Sequence, residues 1–157
     1  MNLTIEWLKE KIACIDAVNL FAAQTETDAI KILQLLIADK RLEWANWLIV
    51  RVMDYPGYVS YAIFAAEQVL NIFEKEYPDD KRPRLAIEAA KKCLENRNSA
   101  ASAASAARAA SAASAASAAS AESVVAMEEM QLKILEYGIK LLETKENKNG
   151  KNHRTNG

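Results

Sequence analysis

From Asn98 to Ser123 the chain reads NSAASAASAARAASAASAASAASAES, with serine, or once arginine, at every third position and alanine between. Alanine is the strongest helix former, and serine costs only about half a kcal/mol more per residue. The segment 98–123 therefore reads as a low-complexity helix. A helix turns about 100° per residue, so a period of three falls about 60° short of a turn at each step. The serines wind around the axis, and no fixed serine face exists. What persists is smallness in every direction, which lets neighbouring backbones approach closely, while a buried serine can bond its own i−4 carbonyl. The repeat reads as a thin structural helix. An ice-binding helix would need one flat, regular face, which period three does not supply.

The remainder of the chain points to the same class. Only four glycines and three prolines punctuate its 157 residues, and no useful length alternates with period two. An all-α fold follows. We expect a single-domain helical bundle over 1–146, with the Ala/Ser-rich helix inside it and a disordered tail over 147–157, where nothing apolar is available to bury. Thr4 can cap a first helix carrying Leu8, Ile12 and Ile15. Thr25 with Asp28 resembles a capping box that opens DAIKILQLLIAD. RLEWANWLIVRVM is apolar in nearly every direction, which predicts a buried helix. Pro56 fits the first turn of the next helix, which runs to about Tyr77. Its expected inner face holds Tyr58, Ala62, Ala65, Val69, Ile72 and Phe73, with Glu67, Asn71 and Glu74 opposite. Pro78 stops it and Pro83 starts another, with Ala86, Ala90, Cys93 and Leu94 inward. Leu132, Leu135, Ile139 and Leu142 stripe the last helix.

Composition excludes several function classes. The net charge is −1, so no global basic field favours a nucleic-acid polymer. Cys14 and Cys93 lack ligand spacing and read as small buried hydrophobes in a reducing compartment, not as a disulfide or metal site. The start, MNLTIEWLKEK, is charged early and has no apolar signal region. The Ala/Ser run is long enough for a bilayer but barely hydrophobic, and it carries Arg108. The expectation is a soluble, cytoplasmic protein without membrane partners, metal or cofactor.

Catalysis has little support. The one histidine, His153, lies in the tail, and no nucleophile elbow, P-loop or dinucleotide turn occurs. Carboxylates such as Glu67, Glu74, Asp79 and Asp80 can in principle do acid–base work, but solvated faces and caps explain them more simply. Two features carry more. Trp44, Trp47, Leu48 and Arg51 share one face of the helix read as buried, where a guanidinium must be paired. Arg51 is then either bridged to an acid such as Glu67 or Asp80, or an anion-binding arginine walled by Trp44 and Trp47. The second feature is YPDDKRPRLAIEAA. Lys81, Arg82 and Arg84 crowd a helix N-terminus, which prefers acids. Either Asp79 and Asp80 cap the helix and Arg84 pairs with Glu88, or the cations and free N–H groups hold a phosphate or carboxylate. Arg108, the one charge in the small-residue helix, either reaches such a site or solubilises its surface.

WANWLIVRVM and YPDDKRPRLAIEAAKKCLE resemble the all-helical "putative immunity protein" family of bacterial polymorphic-toxin systems, which also occurs in phages. The similar motif here is Asp80-x-Arg82-Pro83-Arg84-x-Ala86-Ile87-Glu88, and the likeness covers about Trp44 to Glu95. The resemblance implies non-enzymatic neutralisation of a toxin. The expected function is stoichiometric binding of a toxin or defence protein. The alternative is a phage anti-defence sponge that sequesters a phosphate-bearing nucleotide in an arginine-lined pocket, and an enzyme acting through carboxylates is the third reading. A second copy of the chain is a further candidate partner.

Overall fold

The computed structural model describes residues 1–95 and 124–152; the Ala/Ser repeat, Arg108 and His153 lie outside the described residues. Seven helices form among them: α1 (Ile5–Glu10), α2 (Ile15–Ala22), α3 (Ala29–Ala38), α4 (Leu42–Val52), α5 (Tyr55–Glu76), α6 (Arg82–Glu95) and α7 (Val124–Asn152). The fold is all-α, and the one extended pairing among the described residues is an isolated bridge between Asn2 and Asp28. The chain divides into two compact units, Met1–Met53 with Gly138–Gly157, and Asp54–Tyr137. α7 continues to Asn152, past residue 146, the expected end of the helical domain.

Within the first unit, α1 pairs with α2 and α3 with α4. The two tight connections share one device. After α1, Ala13 N–H bonds the Leu8 carbonyl and Ile12 N–H bonds the Lys9 carbonyl; after α3, Arg41 N–H bonds the Leu36 carbonyl and Lys40 N–H bonds the Ile37 carbonyl. This pair of bonds is the Schellman ending, which places one residue in the left-handed region and satisfies carbonyls the helix leaves free. That residue is Ile12 (φ 59°) in one case and Lys40 (φ 57°) in the other. The expected stripe Leu8, Ile12, Ile15 is thereby broken. Thr4 does cap α1, accepting from Trp7 N–H at 3.1 Å, but the helix stops at Glu10 and Ile12 is 86% exposed.

A β-branched side chain in the left-handed region crowds its own backbone, and glycine does not. Ile12 buries almost nothing, so a substitution there forfeits no packing. Ile12→Gly is expected to stabilise the protein by about 1 kcal/mol, relief of backbone strain outweighing the larger chain entropy of the unfolded state. Urea unfolding of the two chains measures the difference; a glycine variant less stable than wild type would contradict the assignment of strain.

The start of α3 also differs from the expected capping box. Asp28 is itself the N-cap, and its Oδ1 accepts from the N–H groups of Ile30 and Lys31. The Glu26 carboxylate accepts from the N–H groups of Thr27 and Asp28. A carboxylate placed immediately before the helix reaches these donors better than the hydroxyl of Thr25, three residues earlier.

The second unit is built on α5 and α6. Asp54 accepts from Gly57 N–H, with Pro56 in the first turn of α5, and Tyr77 ends the helix ahead of Pro78. Val59, Ile63, Ala66, Leu70, Ile87 and Ala90 form one buried cluster, flanked by Tyr58, Ala86 and Leu94. Alanines from both helices in this cluster let the backbones come close. The inner face of α5 is wider than expected: Ala62 and Val69 are buried as expected, Val59, Ile63, Ala66 and Leu70 are buried beside them, and Tyr58, Ala65, Ile72 and Phe73 are only partly so. On α7, Leu135 and Ile139 are buried, whereas Leu132 and Leu142 are partly covered.

Candidate functional site

The residues singled out by sequence fall in different units. Trp44, Trp47 and Arg51 belong to the first; Asp80, Lys81, Arg82 and Arg84 belong to the second.

α4 is not buried all round. Leu42, Ala45, Leu48 and Ile49 face inward, Trp44 and Trp47 are half-buried, and Arg51 is exposed. Among the described residues no acid bridges Arg51. Its Cζ lies 4.0 Å from the Trp47 ring centroid, and its Nη1 donates to the Trp47 carbonyl at 2.9 Å. The expectation of a buried guanidinium fails because tryptophan counts as core on a helical wheel, yet its large ring can lie on the rim of the core with one part wet. A cation near the last turn also complements the helix dipole. One turn before Trp44 stands a residue that the sequence reading passed over. Arg41 Cζ lies 4.7 Å from the Trp44 ring centroid. The signal was available: Arg41 precedes Trp44 by three residues, much as Trp47 precedes Arg51 by four.

At the head of α6 the charges are matched. Asp80 Oδ1 accepts from the backbone N–H of Arg82 at 3.0 Å, satisfying one donor of the first turn. The Arg82 fork closes on the same carboxylate, Nε at 2.9 Å from Oδ1 and Nη2 at 2.6 Å from Oδ2. α6 starts at Arg82, one residue before Pro83. Arg84 makes a second fork, but to Glu74 of α5 and not to Glu88: Nε to Oε1 at 2.7 Å and Nη2 to Oε2 at 2.6 Å. Farther along, Lys91 Nζ is 2.6 Å from Glu67 Oε1. Glu67 and Glu74 are seven residues apart on α5, as are Arg84 and Lys91 on α6, so the two ion pairs repeat at one heptad on antiparallel helices. The acids expected to face away from the neighbouring helix instead rim the α5–α6 seam. The equal spacing of Glu67/Glu74 and Arg84/Lys91 was the missed signal. Lys81 is exposed and adds a favourable charge near Glu74.

These pairings shift the acids downward. Hydrogen bonds from the Arg82 side chain, and then from its backbone N–H, hold the Asp80 carboxyl at about 2. The Arg84 side chain, through its hydrogen bonds and its charge, lowers Glu74 from its ordinary value. Depressed carboxylates stabilise the fold above their unfolded values and cease to do so as the pH falls through the folded ones. The Asp80 contribution is therefore complete at neutral pH and fades from about pH 4 to about pH 2. Asp80→Ala is expected to melt below wild type at pH 7, with the gap closing as the pH approaches 2. Melting curves across that range check it; a gap that stays constant would mean the carboxylate charge plays no part. The Arg82 side chain is 89% exposed, so solvent screening keeps the strength of this pair modest.

Cys14 is exposed and Cys93 only partly covered, so neither thiol is the buried side chain that was expected. Among the described residues no group of three or more histidine, cysteine, aspartate and glutamate side chains could hold a metal ion. No described helix is long and apolar enough to cross a membrane. No curated protein and no solved structure matches the chain. The model of the Imm-5 like putative immunity protein family matches residues 57–156, a span that takes in α5 from its third residue, α6 and the segment from Asp80 to Glu88. With well over half of its length covered, the chain belongs to the Imm-5 like putative immunity protein family.

Proposed function

We propose that this protein neutralises a partner toxin by binding it stoichiometrically in the cytoplasm of a bacterial or phage conflict system, with no chemical step. The observation that carries this reading is the family match over residues 57–156, which supports a neutralising role in general. The head of α6 adds a physical reason to favour capture over a nucleotide sponge. A sponge built on Lys81, Arg82 and Arg84 needs open guanidinium forks for phosphate. Asp80 and Glu74 occupy both forks, and a phosphate would have to displace them.

Co-expression with candidate toxins drawn from the genes that flank its own tests the reading. Growth rescue should track a one-to-one ratio of the two proteins and saturate there. Rescue at far lower ratios would indicate turnover and overturn the non-catalytic reading. A melting screen with cyclic and linear nucleotides is the companion measurement. A ligand at a hundredfold excess over its Kd stabilises by about 2.7 kcal/mol. We expect a flat screen; a shift abolished by Arg82→Lys would instead favour the sponge.

A further inference from the structure

Arg82 and Arg84 each have a carboxylate partner, whereas Arg41 and Arg51 make no ion pair among the described residues. These two arginines end a single stripe along α4: Arg41, Trp44, Trp47, Arg51. Spacings of three, three and four residues keep all four on one side of a helix. The stripe flanks the buried face of Leu42, Ala45, Leu48 and Ile49. Each guanidinium is held over an indole, at 4.7 Å for Arg41 and 4.0 Å for Arg51, and the second is also fixed by its bond to the Trp47 carbonyl. Both side chains are thus partly ordered before any partner arrives, which lowers the entropy cost of binding.

The geometry points to this stripe as the surface that reads the neutralised protein, accepting two acidic side chains of that protein. The inference rests on the capture reading given above. Three arguments select an acidic protein face. Each indole already carries a guanidinium over its ring, so the open platform a nucleobase stacks on is taken. What remains on offer is the N–H edge of two arginines without carboxylates, and charge complementarity calls for carboxylates there. Tryptophan and arginine are also the side chains that most often dominate protein interfaces. Arg41, the N-cap of α4, and Arg51 both fold inward over the tryptophans between them, so the acidic positions on the partner should lie closer together than the roughly 15 Å rise from residue 41 to residue 51. The stripe precedes residue 57 and falls outside the family match.

The test compares wild type with the double variant Arg41→Gln/Arg51→Gln in the full chain, against candidate toxins drawn from the flanking genes, by growth rescue and by titration at two salt concentrations. The glutamine variant should keep its helical spectrum and bind about thirtyfold more weakly or worse, the loss expected of one hot spot. Its binding should also depend less on salt. Arg82→Gln should bind as wild type does. Should the glutamine variant fail to fold, Arg41→Lys/Arg51→Lys decides, because lysine keeps the charge without the fork and must also weaken binding. If wild type neutralises and the double variants do so equally well, the stripe is wrong and the capture reading survives. If wild type does not neutralise, the capture reading falls and this inference with it. A nucleotide that raises the melting temperature of wild type but not of Arg41→Gln/Arg51→Gln would make the stripe a nucleotide site and overturn the protein partner.

Discussion

Leu33→Ala should remove about 2–5 kcal/mol of stability, the cost of a leucine truncated in a packed interior. Leu33 lies in the middle of α3 and is fully enclosed, at 0% exposure. The loss has two parts, the transfer energy of the deleted methyl and methylene groups and the void left where neighbours cannot collapse. Against a net stability of about 5–15 kcal/mol for an ordinary domain, one such change takes a large share. Leu35→Ala supplies the control on the same helix. Leu35 is 52% exposed, and the replacement is a better helix former, so its effect should stay within about half a kcal/mol. Urea denaturation of the three chains measures both. Equal losses at 33 and 35 would mean that α3 is docked on a different face.

That contrast shows where the sequence could be read and where it could not. The start and end signals of α5 and α6 were legible because they depend on adjacent residues: Pro56 at one end, Pro78 between the helices, Asp80 and Pro83 at the head of α6; the cap from Asp54 was not read. Facing was harder. Apolar residues around α5 cover more than half its circumference, and only the partner helix decides which of them is innermost. Ala66 and Ala90 win central places because their smallness permits close approach, a property that a hydrophobic pattern does not rank. α4 failed in the opposite direction. Counting Trp44 and Trp47 as core made Arg51 seem buried, when the same rings give the arginine somewhere to lie at the surface. The break after α1 was hidden for a third reason. Nothing in the local pattern announces isoleucine in a left-handed conformation, since glycine or asparagine is the ordinary sign of that ending.

The candidate site divides along the same line. Sequence alone marked Asp80, Arg82 and Arg84 as an oddity of charge at a helix N-terminus. It left open whether the cations were waiting for an anion or already satisfied, because the answer turns on Glu74, ten residues earlier on another helix. Partner choice across helices is a tertiary fact. Once it is known, the surplus cations on the described surface shift from α6 to α4, where Arg41 and Arg51 have indoles for company and no acids.

Ile87→Asp should prevent the α5–α6 pair from forming at neutral pH. Ile87 is 5% exposed and belongs to a cluster whose other buried members are Val59, Ile63, Ala66, Leu70 and Ala90. None of these side chains can donate a hydrogen bond, and of the residues flanking them only Tyr58 can, so an ionised carboxylate would be stripped of water with little compensation. Isolated buried charges cost several kcal/mol even after local relaxation, comparable with the whole stability of a domain. The carboxyl can escape part of that cost by taking up a proton, and its value in the folded state is then raised above the unfolded one. The sign follows from linkage. Wherever the folded state binds more protons, stability rises as the pH falls, so this variant should partly refold on mild acidification, levelling off below the unfolded value of about 4. Asp80 pulls the other way at lower pH, which makes about pH 4 to 5 the window for the measurement. Ile87→Asn separates charge from polarity. It places a similar polar volume in the cluster but does not titrate, so its loss should be smaller at pH 7 and unchanged at pH 4.5. Circular dichroism melting of both variants at the two pH values supplies the comparison. An aspartate variant that melts with wild type at pH 7 would show that position 87 is open to water, and the α5–α6 seam would have to be redrawn.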